Sequence, residues 1–227
     1  MAGTESRNQG LEALVAGLFP VPVGVGITNP LTYAGGELFH VEQAAIRNAI
    51  PARQREFRAG RAAARAAQVA LGLAPRPVPM GDDRAPVWPA GLSGSISHMG
   101  DTCIAVLCND PVIAALGLDI EEDAPLPADI LDTVLAPDEQ RWISQQADPG
   151  RMARLFFSAK ECAYKAQYPL TRQLFGFEVI TISADPGAGR FEARFTRPVP
   201  PFASGARLEG RVSVTRGLII TAIALRA

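Results

Sequence analysis

Asp119 and Glu121 stand two apart in Gly117-Leu118-Asp119-Ile120-Glu121. A third carboxylate, Glu161, lies between two lysines in Phe157-Ser158-Ala159-Lys160-Glu161-Cys162-Ala163-Tyr164-Lys165. In a strand, residues i and i+2 share a face, so Asp119 and Glu121 project together while Leu118 and Ile120 turn into a core. Two adjacent carboxylates are costly unless something positive lies between them. Mg2+ meets that need, because it takes oxygen ligands and keeps waters that exchange for phosphate oxygens. On a helix Glu161 and Lys165 share a face, and Lys160 lies about 100° round from Glu161. A glutamate near a bound cation serves as a third ligand or as general base for a hydroxyl; the lysines hold phosphate charge. Each string also has a plainer reading. The acids would sit on a solvated edge strand, and Glu161 and Lys165 would form an ordinary surface helix pair.

Ser97 and His98 close Gly94-Ser95-Ile96-Ser97-His98 at a strand end, where hydroxyl and imidazole suit a phosphate. They are not a catalytic pair by themselves, since neighbouring strand residues face opposite ways. No Gly-x-Ser-x-Gly elbow occurs, which argues against a serine hydrolase. Arg58, Arg61 and Arg65 fall on one side of a helix and read either as phosphate forks or as a solvated basic face. There is no P-loop, and Gly24-Val25-Gly26 lacks the third glycine of a dinucleotide turn.

These residues need elements to position them. Val21 to Thr28 reads as a strand in an N-terminal lead-in that runs to residue 36. Glu37 to Ala49 has helical spacing, with Leu38, Val41, Ala45 and Ile46 on one face. Gln54 to Leu73 is a strong alanine-rich helix, ended by Gly72 and Pro75. The proline-rich stretch Ala74 to Leu92 is a long loop. Ser95 to Asn109 reads as strand, turn and strand with Gly100-Asp101 at the turn, and Ala114 to Glu121 as another strand. Ile130 to Gln146 and Arg151 to Gln167 are helical. Phe177 to Ser183, Phe191 to Thr196, Leu208 to Thr215 and Leu218 to Leu225 are strands, the last pair closed by Arg216-Gly217. Segregated strands and helices indicate an α+β fold, divided near Asp110-Pro111 into residues 1–110 and 111–227.

The 227 residues include 48% hydrophobic and 20% charged, with a formal net charge of -1, so no basic field invites nucleic acid. Cys103, Cys108 and Cys162 form no Cys-x-x-Cys and read as reduced thiols of a cytoplasmic protein. Two distant histidines, His40 and His98, make zinc improbable. Met1 to Gly10 lacks the basic and apolar parts of a secretory signal. Leu11 to Ile27 is interrupted by Pro20 and Pro22 and is too short to span a bilayer. The expectation is a cytoplasmic monomer with neither membrane nor nucleic-acid partners.

Taken jointly, the strings resemble the 4′-phosphopantetheinyl transferase superfamily, in its monomeric branch similar to enterobactin synthase component D and the surfactin synthetase-activating type. That branch carries a Gly-x-Asp-x-Glu strand and a Trp/Phe-Ser/Cys-x-Lys-Glu-x-x-Tyr/Phe-Lys helix, both present here in order. Phe57-Arg58-Ala59-Gly60-Arg61, Trp88-Pro89, the Ser-His strand, Tyr168-Pro169 and Gly176-Phe177 extend the resemblance over roughly residues 50–180. It implies two similar α/β halves forming a pseudo-dimer, with coenzyme A in the cleft between them. The implied reaction transfers the phosphopantetheine arm of coenzyme A to a serine of an acyl or peptidyl carrier domain. It serves siderophore, non-ribosomal peptide and polyketide synthesis.

By the same resemblance Asp119, Glu121 and Glu161 hold Mg2+, and the catalytic residues are Glu161, Asp119 and Lys165. Glu161 is the implied base for the carrier serine. Coenzyme A is the co-substrate. Its phosphates fall to Lys160, Lys165, Ser97 and His98, and its 3′-phosphate and adenine end to Arg53 and Arg61. Met80, Gly81, Asp82, Asp83 and Arg84 line the adenine. Ile120 cannot be a ligand, so water or its carbonyl fills that place; Met80 stands where some relatives have lysine, leaving Arg84 for the phosphate. Arg172, Leu174 and Phe175 are candidates for the carrier contact. The competing readings are a Mg2+-dependent phosphodiesterase and a catalytically silent module that binds coenzyme A or a carrier.

Overall fold

The computed structural model describes residues 2–33 and 36–227, with side chains from residue 10 onward. Met1 and residues 34 and 35, within the lead-in read from the sequence, lie outside the described residues. The chain divides into two compact units, residues 1–116 with 227, and residues 117–226. The division falls inside a strand rather than at Asp110-Pro111.

The first unit opens with helix α1 (Ala2–Gly17), where the sequence reading expected only short strands. The signal was a stripe: Leu11, Val15 and Phe19 recur every four residues and are all buried. Strand β1 (Gly24–Thr28) and the short helix α2 (His40–Gln43) follow. The helix expected over 37–49 shrinks to α2 and a 3-10 turn at Ala44–Ile46, because its apolar residues do not share a face. Leu38 and Ile46 are buried, whereas Val41 is exposed.

Helix α3 (Pro51–Ala70) begins on Pro51, which donates no backbone hydrogen bond and suits a first turn. Strands β2 (Ser93–Met99) and β3 (Thr102–Cys108) make the expected hairpin, turning at Gly100 with φ 56°. The sheet order is β1-β3-β2, antiparallel throughout. Ala59, Ala63, Ala64 and Ala67 of α3 pack with Cys103, Ala105 and Leu107 of β3. Gly24 and Gly26 permit that approach, since an added Cβ would lie 2.1 Å from the carbonyl oxygen of Ala67 or Ala63 respectively.

Strand β4 (Ile113–Glu122) leads into the second unit. The helix expected over 130–146 is broken into α4 (Leu131–Val134) and α5 (Pro137–Ile143). Pro137 explains the break, because the residue before a proline is pushed out of the helical region. Helix α6 (Pro149–Thr171) is the longest element. Strands β5 (Ile180–Asp185), β6 (Arg190–Phe195), β7 (Arg207–Thr215) and β8 (Leu218–Arg226) complete a five-stranded sheet in the order β4-β8-β7-β6-β5. Arg216 and Gly217 both have positive φ, which gives the β7–β8 hairpin the turn hand that matches strand twist.

The core of this unit sets Phe156, Ala159, Cys162, Ala163 and Ala166 of α6 against Ile180, Phe191, Phe195, Ile219 and Ile223. Gly117 of β4 repeats the device of the first unit: a Cβ there would stand 2.2 Å from the Cys162 carbonyl oxygen. The architecture is the α+β fold expected from the sequence.

Replacing Gly117 by Ala therefore overpacks the β4–α6 contact and is expected to cost about 2–3 kcal/mol. Thermal unfolding checks this against Gly187→Ala, where the nearest atom to a new Cβ is 3.5 Å away. The control is expected to stay within about 0.5 kcal/mol of the native chain.

Candidate active site

The second unit assembles the acidic site from two elements. On β4, Asp119 and Glu121 lie on one face, only 3% and 8% exposed, while Ile120 is fully buried. On α6, Arg154, Ser158, Glu161 and Lys165 follow one another at spacings of four, three and four and share a face. The Lys165 Nζ donates to Asp119 Oδ1 at 2.7 Å. Arg154 Nη1 donates to Glu121 Oε2 at 2.9 Å, and Nη2 to the Pro125 carbonyl at 3.0 Å. Ser158 meets Thr221 of β8, hydroxyl to hydroxyl at 2.9 Å, which ties α6 to the sheet in the middle of the stripe.

The electrostatics follow from burial. Glu121 is pushed from its ordinary value of 4.5 up to about 7, first by burial and then by Asp119, against the pull of Arg154 and Lys165. Glu161 is half-buried. Its carboxyl is raised by burial and by Asp119, with Lys165 opposing. Burial pulls Lys165 down, but its ion pair and hydrogen bond with Asp119, helped by Glu161, carry it above the ordinary lysine value. The site thus holds an ammonium fixed on Asp119 beside two glutamates whose protons are unusually strongly retained.

Among the described residues, no three His, Cys, Asp or Glu side chains are gathered closely enough to hold a metal as they stand. The donor chemistry nevertheless fits a hard cation. Asp119, Glu121 and Glu161 offer only oxygen, and Asp119 disfavours the charged form of both glutamates.

Lys160, expected to meet phosphate, sits elsewhere. It is 2% exposed and donates to Glu139 Oε2 at 2.7 Å, to the Val134 carbonyl at 2.7 Å and to the Phe177 carbonyl at 3.2 Å. An ammonium has three donors, and all three are taken. Beside it a pocket of about 230 Å³ is lined by Lys160, Glu161, Tyr164, Phe175, Phe177 and Ile180. Leu174 is 75% exposed, whereas Phe175 packs edge-on to Tyr164 at 5.4 Å.

The first unit holds the remaining candidates. Arg61 is buried with its guanidinium 4.0 Å above the Phe57 ring. Burial lowers it to about 10, with Glu42 opposing and Arg53 and Arg65 adding to the fall. Its Nε has no hydrogen-bond partner among the described residues. Arg65 is not part of a solvated face: it pairs at 3.2 Å with Glu42, which is fully buried. Arg53 and His98 both approach Glu56 Oε2, at 3.3 and 3.6 Å. Ser97 is buried on the strand face opposite His98.

The segment Met80 to Arg84 forms a tight turn closed by a Met80–Pro86 bridge. Gly81 receives the Arg84 amide, Arg84 has φ 66°, and Asp82, Asp83 and Arg84 are exposed at the tip. Glu42 Oε1 accepts from the Val78 amide at 2.8 Å and Gln68 brackets Arg76, which anchors the chain entering that turn.

Sequence reasoning missed Arg154, Glu139, Glu42 and Glu56. Arg154 carried a readable signal, the helical stripe it shares with Glu161 and Lys165. Glu139 carried another, as the third residue of a helix begun by Ala136-Pro137; its Oε2 accepts the Ala136 amide at 2.7 Å.

Comparison with known proteins matches residues 41–108 to the 4′-phosphopantetheinyl transferase N-terminal domain and residues 115–215 to the 4′-phosphopantetheinyl transferase superfamily. The chain is 40% identical over 196 residues to the 4′-phosphopantetheinyl transferase Svp of Streptomyces mobaraensis, covering 84% of this chain and 79% of that protein. It is 34% identical to Npt of Nocardia iowensis, covering 90% of this chain and 97% of that protein. Enterobactin synthase component D of Salmonella typhimurium is 38% identical, covering 53% of this chain and 51% of that protein.

Glu121 makes stability depend on pH. Between 4.5 and about 7 the folded chain keeps a proton that the unfolded chain releases, so stability falls as pH rises through that window. The loss from pH 5 to pH 8 is expected to be about 2–3 kcal/mol. Urea unfolding of the native chain and Glu121→Gln in EDTA, at both pH values, measures it. The variant is expected to lose most of that dependence; an unchanged pH slope would refute the assignment.

Proposed function

The chain belongs to the 4′-phosphopantetheinyl transferase superfamily and is a 4′-phosphopantetheinyl transferase; from that premise we propose how its residues divide the work. The acceptor is the serine hydroxyl of an acyl or peptidyl carrier domain, and the donor is coenzyme A. The products are the holo-carrier and adenosine 3′,5′-bisphosphate. Enterobactin synthase component D among its relatives supports service to siderophore or similar assembly lines. The observation that carries the reading is the joining of Asp119 to Lys165, beside Glu161, inside the segment that matches the superfamily.

Asp119, Glu121 and Glu161 are the ligands proposed for Mg2+, which when bound would offset charge on the pyrophosphate and its leaving phosphate. Glu161, raised by burial, accepts the proton of the carrier serine, directly or through a water. The serine oxygen forms its bond to the pantetheine phosphorus as the bond to the nucleotide phosphate breaks. Lys165 stays charged through the step and stabilises the phosphoryl oxygens. Arg61, a buried cation with a spare N–H, is assigned to the 3′-phosphate of coenzyme A, supported by Arg53. His98 and Ser97 are assigned to its other phosphates, and Met80 to Arg84 to its adenine. Arg172 and exposed Leu174 are assigned to the carrier.

The two units stand for the two halves that the resemblance implies, and the working species is taken to be a monomer in the cytoplasm. Three free, buried cysteines agree with a reducing compartment. No described helix is long and apolar enough to cross a membrane.

Intact mass of an apo carrier incubated with the protein, coenzyme A and Mg2+ tests the reading. The expected gain is one phosphopantetheine, lost with EDTA. Glu161→Gln is expected to keep coenzyme A binding and to lose at least about 100-fold in rate. Native-like turnover by that variant would remove Glu161 from the base role.

A further inference from the structure

Lys160 and Glu139 form a buried pair that the transfer chemistry leaves unused. Glu139 is 4% exposed. Its Oε1 accepts the Ile182 amide at 2.6 Å. Its Oε2 accepts the Ala136 amide and the Lys160 ammonium, both at 2.7 Å. Lys160 in turn donates to the carbonyls of Val134 and Phe177. One ion pair therefore joins the end of α4, the start of α5, the middle of α6 and the segment entering β5.

What it joins is the wall of the pocket. Phe177 and Ile180 form one side, Tyr164 and Glu161 of α6 another, and Lys160 is the residue immediately before Glu161. Apolar packing also holds the 177–182 segment to α6, as in Phe157 against Phe177 at 5.7 Å. Apolar packing tolerates sliding better than a directed, charge-assisted bond does. A misplacement of about 1 Å at a reacting group costs on the order of 100-fold in rate.

We infer that Lys160 and Glu139 are positioning residues: their buried pair fixes where Glu161 stands relative to the 177–182 wall, and Lys160 is not a phosphate ligand. This rests on the transferase reading with Glu161 at the reacting serine.

Lys160→Met alone strands a buried carboxylate and is expected to unfold readily. Lys160→Met with Glu139→Gln removes both charges. The glutamine amide oxygen can still accept from the Ile182 amide, while its NH2 replaces the oxygen that accepted from Ala136. The double variant is expected to regain most of the native Tm. Its KM for coenzyme A stays within about threefold, while kcat falls about 10-fold or more. A rise in KM and Kd for coenzyme A of 10-fold or more would make Lys160 a phosphate contact, and native kcat and KM together would reduce the pair to a fold staple; either overturns the inference.

A measurement on the native protein needs no variant. Acylation of amines, read by peptide mass spectrometry with and without coenzyme A, is expected to leave Lys160 unmodified in both states. Reactivity in the free protein that coenzyme A suppresses would overturn the assignment. Inactivity of the native enzyme toward every carrier would instead refute the transferase reading, and the acylation result would still stand on its own.

Discussion

The backbone contact of α6 with β4 at Gly117 sets the geometry of the acidic site. A helix axis normally keeps its distance from a strand because side chains intervene. Here the strand offers none, and the Cys162 carbonyl occupies the space where a Cβ would be. Cys162 is the residue after Glu161, and Asp119 is two residues along β4 from Gly117. The close approach therefore brings helix carboxylate and strand carboxylates into range of each other. Any side chain at 117 would push them apart before it changed their chemistry.

That approach would be unfavourable without compensation, because it crowds acids into a poorly solvated place. Two cations from the same helical stripe supply it. Lys165 takes Asp119 and Arg154 takes Glu121, and the glutamates remain reluctant to ionise even so. Buried ion pairs recover the cost of desolvation only when their geometry is good and their remaining donors are satisfied. Arg154 meets the second condition through the Ala124 and Pro125 carbonyls. The two ion pairs are thus the charge compensation that lets the strand carboxylates be this deeply buried.

Much of this was legible in the chain. The period of two in β4 put Asp119 with Glu121, and the period of 3.6 put Glu161 with Lys165. Turns such as Arg216-Gly217 and Gly100 announced themselves by composition. What was not legible depended on partners distant in sequence. Glu139 and Lys160 are 21 residues apart, Glu42 and Arg65 23. Nothing local marks a lysine in a Lys-Glu string as buried rather than phosphate-facing. Helix α1 was missed for a different reason: its buried stripe is sparse, with Leu11 and Val15 inside the helix and Phe19 just past its end. The break at Pro137 was legible in the chain, because the residue before a proline leaves the helical region.

Each unit, taken separately, lays one long helix on an antiparallel sheet and uses strand glycines to bring the two backbones together. Gly24 and Gly26 meet the Ala67 and Ala63 carbonyls under α3, as Gly117 meets Cys162 under α6. Only the second strand carries acids after its glycine; β1 reads Gly-Val-Gly-Ile-Thr, with Thr28 bonded to the Ala59 carbonyl. In the first unit the buried charges are instead Glu42 with Arg65, and Arg61 over Phe57. A buried arginine with an unsatisfied N–H is poorly explained by stability, since desolvation already lowers its pKa and leaves a donor idle. An anionic ligand would satisfy that donor and offset the buried charge. The same scaffold thus presents carboxylates in one unit and a spare guanidinium donor in the other.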